Sequence, residues 1–448
     1  MIYSFFKILI RYALKVYFRK IHIEGIEHIP KEGPFLIVAN HPSSFLDPIS
    51  IAVLVKQKIS FLAGGFMFKN KIVASFLKGF NIVPIYRAQD NPNDLRKNKE
   101  VFRGCYDKLS KKGVIMIFPE GTSENERRLR KVKTGAARIA LGTSKENDFN
   151  LNVKIVPVGL NYTKSSKFRG ELFIQFGEPL ETNNYIEEYK KDEFSAGKKL
   201  TDDIEKSIKN LIIDIDKEEY DNLVERVESL YKSKLIKISN AENEPFPEVK
   251  VTQRIYEAIK YFQKNEIDLF HDMKAKIDDY FLNLKTMNLS DKAMEKGGQL
   301  GNILQYFTKS IIILILGFPI WLFGYLNSFI PYQVPRIVAL KITDSDAFYG
   351  ALLMSFGTLS FILFYSVNIY LVWFFTLSPI LTIAYGIALP LSGFFTIFYA
   401  RIARRFYYNW QFISRFYSSQ NLMVQLVSDR NQITKELENI AEQYRNQA

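Results

Sequence analysis

From Ala347 through Ala400 the chain runs for 54 residues without a single Asp, Glu, Lys or Arg. A helix crosses the apolar core of a bilayer in about 20 residues, so this run is long enough for two crossings, with a joint near "TLSPIL". A second uncharged stretch of twenty residues, Ile311–Ile330, precedes it. Arg401, Arg404 and Arg405 follow the long run directly, which by the positive-inside tendency puts that end in the cytoplasm. The chain before Ile311 carries several lysines and belongs on the same side. Three complete crossings cannot satisfy both. Either Pro319 marks a re-entrant or interfacial first segment, or the long run holds something other than two spans. The expectation is an integral membrane protein whose hydrophilic part faces the cytoplasm, with its exact topology open.

The rest of the composition agrees. Aromatic residues make up 15% of the chain, which suits contact with lipid, and the net charge of +13 favours an anionic partner. No zinc spacing, RNP-like strand or base-reading basic helix is present, so a membrane surface is expected as that partner and nucleic acid is not. The single cysteine, Cys105, rules out an intrachain disulfide, and four scattered histidines rule out a zinc finger; no metal centre is expected.

Read in order, residues 1–20 place Lys7, Arg11, Lys15 and Arg19 four apart amid Ile, Leu, Phe, Tyr and Val. This is the pattern of an amphipathic helix lying in the headgroup plane with its cations snorkelling, and no apolar run there is long enough for a signal peptide. Residues 21–180 alternate short apolar runs with polar helical stretches. The runs "IHIEG", "FLIVAN", "ISFLAG", "NIVPIY", "VIMIF", "KIVPVGL" and "ELFIQFG" read as strands, with helices over Asn93–Lys111 and Val132–Leu141. The fold class is an α/β domain with a mixed, mostly buried sheet. Residues 181–308 are a charged helical insert, 309–400 the hydrophobic membrane region, and 401–448 a basic and then polar helical tail.

Four segments carry chemistry. In "VANHPSSFLD", His41 follows an apolar strand and Asp47 comes six positions later. In "VIMIFPEGTS", Glu120, Gly121 and Thr122 stand at the carboxyl end of another strand, where open α/β sheets bind ligands. Arg87 ends "NIVPIYR", where a guanidinium can clasp a phosphate with two parallel hydrogen bonds. "VKIVPVGLNY" is an apolar strand carrying Pro157. Each has a plain reading by itself: a turn histidine, a capping glutamate, an arginine after a strand.

In this order and spacing the four resemble the boxes of the glycerolipid acyltransferase superfamily, over about residues 20–180: an N-H-…-D box, an arginine box, an F-P-E-G box and a V-P-V-like box. "VPVGLNYTKSSKFRGELFIQFGEPL" is similar to the branch that acylates glycerol 3-phosphate or dihydroxyacetone phosphate. One spacing departs from the family: five residues, Pro42 to Leu46, separate His41 from Asp47 where four are usual. A six-residue offset turns about 240° on an ideal helix, so the two can meet only if His41 lies in the preceding loop and Asp47 early in the helix.

The resemblance implies acyl transfer from a thioester, acyl-coenzyme A or acyl carrier protein, to a hydroxyl of glycerol 3-phosphate or 1-acylglycerol 3-phosphate, with no bound cofactor. It implies His41 as general base, since an imidazole titrates near neutrality at about pH 6.5, and Asp47 as its orienting partner. Arg87 would hold the acceptor phosphate; Glu120, Gly121 and Thr122 would bind the glycerol hydroxyls. Lys69, Lys133 and Pro157 are further candidates. Two alternatives stand beside this reading: another lysophospholipid as acceptor, or a membrane lipid-binding or scaffold protein that kept the fold and lost the chemistry. A His41–Asp47 separation beyond hydrogen-bond reach would favour the last.

Overall fold

The computed structural model describes residues 2–87, 89–238, 246–295, 300–418 and 420–447. Two compact units share the chain: one of residues 1–214 and 338–355, the other of 215–337 and 356–448.

The first unit is built on strand β2 (Phe35–Ala39), all five residues of which are fully buried. Side chains alternate across a strand, and here both faces are apolar. Phe35, Ile37 and Ala39 enter one core and Leu36 and Val38 the other. A strand apolar on both faces needs helices on both sides, and it has them. One core takes Leu14, Tyr17 and Phe18 from α1 (Ile2–Tyr17) and its exit, Leu46 and Ile51 from α2 (Leu46–Ala52), and Ala351 and Met354 from the opening turns of α14 (Asp346–Thr376). The opposite core is lined by α4 (Asn98–Ser110), α5 (Gly135–Glu146) and α7 (Glu193–Lys209).

The sheet has eight strands in the order β1-β7-β6-β2-β5-β3-β4, with β8 (Leu180–Glu181) paired to β6. The others are β1 (Lys20–Glu24), β3 (Ile59–Gly64), β4 (Ile82–Ile85), β5 (Val114–Ile117), β6 (Lys154–Tyr162) and β7 (Glu171–Phe176). β6 pairs antiparallel with β7 and β8; the remaining pairs are parallel. The mixed, mostly buried α/β sheet expected from the sequence is therefore the fold, and each of the seven anticipated strands has its counterpart. The short β8 was not anticipated. α3 (Lys71–Gly79) and α6 (Ile186–Lys191) complete the unit's helices.

Several boundaries differ from the sequence reading. The unit continues to residue 214 instead of ending at 180, because Leu200, Ile204 and Ile208 of α7 are fully buried in the sheet's core. The helix expected over 93–111 opens as a 3-10 turn, Pro92–Lys97, before α4. The helix expected from Val132 starts at Gly135, because the Lys133 N–H is held by the Pro119 carbonyl at 3.0 Å. The helix read as interfacial is α1, and two of its cations are bonded to the protein. Lys7 and Arg11 donate to the carbonyls of Val55 and Val53 beyond the end of α2, where the helix dipole favours a positive charge. Ile8, Tyr12 and Val16 are exposed.

The second unit is helical. α8 (Glu218–Ile238), α9 (Pro247–Asn265), α10 (Ile267–Thr286) and the short α11 (Asp291–Met294) pack with α16 (Gln420–Gln447). The segment taken as a separate tail thus joins the charged helices. Lys276 meets Glu436 at 2.8 Å and Lys234 meets Glu438 at 2.7 Å. Arg430 and Asp291, 9% and 4% exposed, form a buried pair at 2.8 Å.

The hydrophobic region comprises α12 (Leu300–Leu316), α13 (Phe318–Ile342), α14 and α15 (Pro379–Ser418). Among the described residues two helices are long and apolar enough to cross a membrane, Asp346–Thr376 and Pro379–Arg415. The pair Phe307–Leu316 and Phe318–Ile342 is bent by 61° at a break beside Pro319.

Candidate active site

The parallel core of the sheet sends three chain segments out at one end. β2 exits into Asn40-His41, β5 into Phe118-Pro119-Glu120-Gly121 and β4 into Tyr86-Arg87. β6, parallel to β2, ends there at Tyr162. Carboxyl ends of parallel strands are the usual ligand-binding edge of such sheets.

His41 lies in the loop after β2 and Asp47 is the second residue of α2, the only arrangement in which a six-residue offset lets them meet. His41 Nδ1 is 2.8 Å from Asp47 Oδ2. The extra residue is absorbed by a turn in which Ser44 has φ 41°, a left-handed conformation uncommon for a side-chain-bearing residue. The Leu46 N–H closes on the Ser43 carbonyl at 2.9 Å. This separation removes the ground for a site with its histidine and aspartate parted.

Asp47 is fully buried, and its carboxylate is heavily used. Oδ2 accepts the Ser43 N–H at 2.8 Å as well as the ring, and Oδ1 accepts the Tyr162 hydroxyl at 2.7 Å. Burial, and then the Asp47 charge, hold the Tyr162 hydroxyl well above its usual range, so it stays protonated and donates. With Nδ1 facing a carboxylate, the neutral ring carries its proton there and presents the Nε2 lone pair. No described residue bonds Nε2, and 19% of the His41 side chain is exposed. The ring stacks on Phe118, centroids 4.0 Å apart and planes 14° off parallel.

The loop after β5 braces this loop. Glu120 Oε1 accepts the His41 N–H at 2.8 Å and Oε2 the Arg130 N–H at 3.0 Å. The Ser123 hydroxyl accepts the Ser44 N–H at 2.7 Å, and the Glu124 N–H donates to the His41 carbonyl at 3.3 Å. Glu120 is 7% exposed; burial raises its pKa, against the two backbone N–H groups. Each carboxylate oxygen holds one backbone N–H, so the side chain ties two loops together, and each keeps a second lone pair that can accept from a hydroxyl.

Gly121 has φ 72°, where glycine is favoured, and a Cβ there would lie 2.6 Å from Lys133 Nζ. Thr122 is half-buried in the same loop. Arg87 donates to the Gly121 carbonyl and packs over Phe66, with 5.2 Å from guanidinium to ring centre. Its fork is not open: Nε and one terminal nitrogen are 2.6 and 2.7 Å from the Asp90 carboxylate. Lys133 is part of this cluster. Its Nζ donates to Gln89 Oε1 at 3.3 Å, and burial and then the Arg87 charge lower its pKa.

Two candidates are not brought in. Lys69 is exposed, and its charge reaches Asp94 in the 3-10 turn. Pro157 lies inside the sheet, level with Val38 and bonded through its carbonyl to the Gly177 N–H at 2.9 Å.

The sequence reading missed three participants. Tyr162 ends the very segment that was quoted for Pro157, and a polar residue closing an apolar strand was the available signal. Asn40, beside the histidine, extends β2 with its amide, donating to the Leu160 carbonyl at 2.9 Å and accepting the Leu160 N–H at 2.8 Å. Asp90 gave no signal; its pairing with Arg87 is visible only in three dimensions.

Residues 20–161 match the Acyltransferase family model. The chain is similar to glycerol-3-phosphate O-acyltransferase 1 of Saccharomyces cerevisiae, 24% identical over 370 residues, covering 62% of this chain and 47% of that one. It is also similar to the chloroplastic 1-acyl-sn-glycerol-3-phosphate acyltransferase of Arabidopsis thaliana, 31% identical over 150 residues, 33% of this chain and 38% of that one. The chain thus spans less than half the length of these curated relatives. Among solved structures, the 1-acyl-sn-glycerophosphate acyltransferase of Thermotoga maritima aligns with 46% of this chain and 76% of its own, at 22% identity and a TM-score of 0.34. Residues 20–161 thus form a domain that matches the Acyltransferase family model, in a chain similar to acyltransferases of glycerol 3-phosphate and its 1-acyl ester.

Proposed function

We propose that this protein transfers a fatty acyl group from a thioester, acyl-coenzyme A or acyl carrier protein, to a free hydroxyl of glycerol 3-phosphate or 1-acylglycerol 3-phosphate at a membrane surface. The observation that carries the reading is the His41–Asp47 pair at 2.8 Å, with the aspartate braced by Tyr162 and the far ring nitrogen unbonded. The yeast relative, whose match extends well beyond the Acyltransferase domain, supports glycerol 3-phosphate as the acceptor.

The acceptor hydroxyl gives its proton to His41 Nε2 as its oxygen attacks the thioester carbonyl. Asp47 stabilises the imidazolium that forms. The tetrahedral intermediate then collapses with loss of the thiolate, which takes the proton back from Nε2. An ester and a free thiol result, with no acyl-enzyme, and His41 ends neutral. Tyr162, Ser43 N–H and Glu120 are positioning groups that hold the aspartate and the histidine loop. Gly121 and Thr122 shape the floor for the glycerol.

Arg87, with Lys133 beside it, holds the acceptor phosphate after Asp90 yields the fork. A phosphate dianion offers more charge and more acceptors than the Asp90 carboxylate it displaces.

The test is labelled acyl transfer by purified protein over a panel of donors and acceptors. Glycerol 3-phosphate or its 1-acyl ester should be acylated and unphosphorylated glycerol should not. Arg87→Ala should raise KM for the phosphorylated acceptor at least tenfold, while Asp90→Asn lowers it. A fall in kcat alone in Arg87→Ala would remove the phosphate clamp, and transfer to no acceptor at all would remove the reading.

A further inference from the structure

α8, α9, α10 and α16 do not close completely on one another. Inside the second unit they wall a cavity of about 630 Å³, within the range of about 300–1,000 Å³ that small-molecule sites occupy. Its lining is largely apolar, including Val227 of α8, Ile255 and Phe262 of α9, Met273 and Ile277 of α10 and Ile440 of α16. None of these residues belongs to the Acyltransferase domain, and nothing in the proposed reaction uses them.

Two features separate this cavity from a packing defect. Tyr231 of α8 lines it, is 1% exposed, and its buried hydroxyl has no hydrogen-bond partner. A buried hydroxyl left unpaired costs about 1–3 kcal/mol, so such groups as a rule have a partner. The hydroxyl can donate to an oxygen. The charged members of the lining are Arg254, Lys274 and Arg445 against Glu257 alone. Lys274 also donates to Asp278 at 2.9 Å. Cations therefore outnumber anions on an otherwise apolar wall, an arrangement that suits an amphiphile with a negative head.

We infer that this cavity binds a single-chain acyl lipid with an anionic head, its chain among the α8–α10 and α16 side chains, an ester or carboxyl oxygen on the Tyr231 hydroxyl, and its head toward Arg254 and Arg445. A fatty acid anion and a 1-acylglycerol 3-phosphate share this chemistry. The site goes beyond the proposed reaction and does not depend on it.

The experiment is photolabelling of the full chain in phosphatidylcholine nanodiscs. Three diazirine probes are used: a C16 fatty acid, a 1-acylglycerol 3-phosphate with the same chain, and an alkyltrimethylammonium of the same length. Adducts are located by mass spectrometry. One or both anionic probes should label peptides within 223–277 and 437–445, and the ratio between them identifies the head. The cationic probe should label these peptides at least fivefold less. Ala258→Trp, which fills the cavity, should reduce the labelling at least tenfold. Tyr231→Phe, which changes no packing volume, should reduce it several-fold even if the tryptophan variant fails to fold. Three results would each overturn the site: adducts only within 307–418, equal labelling by the cationic probe, or undiminished labelling in Tyr231→Phe.

Discussion

Tyr162 separates orientation from proton transfer. It touches Asp47 and not His41, so Tyr162→Phe leaves the base in place and removes one donor from the carboxylate. A hydrogen bond to a charged group contributes about 1.5–3 kcal/mol, so kcat should fall roughly tenfold, far less than for loss of the histidine. A Tyr162→Phe protein whose kcat stayed within twofold of the parent would make Tyr162 a packing residue. At this scale the sequence was partly legible. Residue type and position relative to a strand end pointed to His41, Glu120 and Arg87. The condition on Asp47, loop then helix, followed from helical geometry alone, and the chain meets it through a left-handed Ser44. Tyr162, Asn40 and Asp90 were not legible. Tyr162 and Asn40 act through partners more than a hundred positions away in the chain, and Asp90 matters only because it fills a fork expected to be open.

Strand β2 explains why elements were read more easily than boundaries. Five consecutive apolar residues flanked by a Gly33-Pro34 pair and a polar Asn-His pair leave few alternatives to a buried strand. Where the first unit ends was hidden, because α7 is amphipathic like the charged helices beyond it, and only packing shows which core its apolar stripe enters. The buried Arg430–Asp291 pair joins α16 to α11, with the Tyr280 hydroxyl on Asp291 at 2.9 Å. Removing one partner of a buried pair typically costs about 3–5 kcal/mol. Arg430→Met should therefore lower the thermal midpoint of the helical unit clearly in circular dichroism, and Arg430→Met with Asp291→Leu should recover much of the loss. A single variant as stable as the parent would show that α16 is not held this way.

For the whole molecule, the difficulty raised by the positive charges after residue 400 has a structural counterpart. α13 meets α15 antiparallel, as the Tyr385–Asn327 bond and the Trp321–Tyr399 stack show. α14 also meets α15 antiparallel, with Tyr365 near Leu389 and Gly393, and Gly386 near Ile369. α13 and α14 are antiparallel too, through Ser328–Tyr365 and Gly357–Pro335. Three straight rods along one membrane normal cannot all be mutually antiparallel, so at least one is strongly tilted or bent; α13 carries Pro331 and Pro335 in its interior, and a 61° bend separates it from the helix before it. If α14 is a complete crossing, its two ends lie on opposite faces. In a Cys105→Ser background, Asp344→Cys and Ser378→Cys should then react with an impermeant maleimide from opposite sides of sealed vesicles. Labelling from one side only would make α14 a surface or re-entrant helix.

The central claim is that one imidazole, steadied by Asp47, takes the proton from the acceptor hydroxyl. The most direct measurement is single-turnover transfer of a labelled acyl group to glycerol 3-phosphate and to 1-acylglycerol 3-phosphate by the parent and His41→Ala, with folding of both checked by circular dichroism. General-base groups supply about 10²–10⁴-fold, so the variant should lose at least two orders of magnitude in rate on the preferred acceptor. A folded His41→Ala protein turning over within a few-fold of the parent would contradict the account.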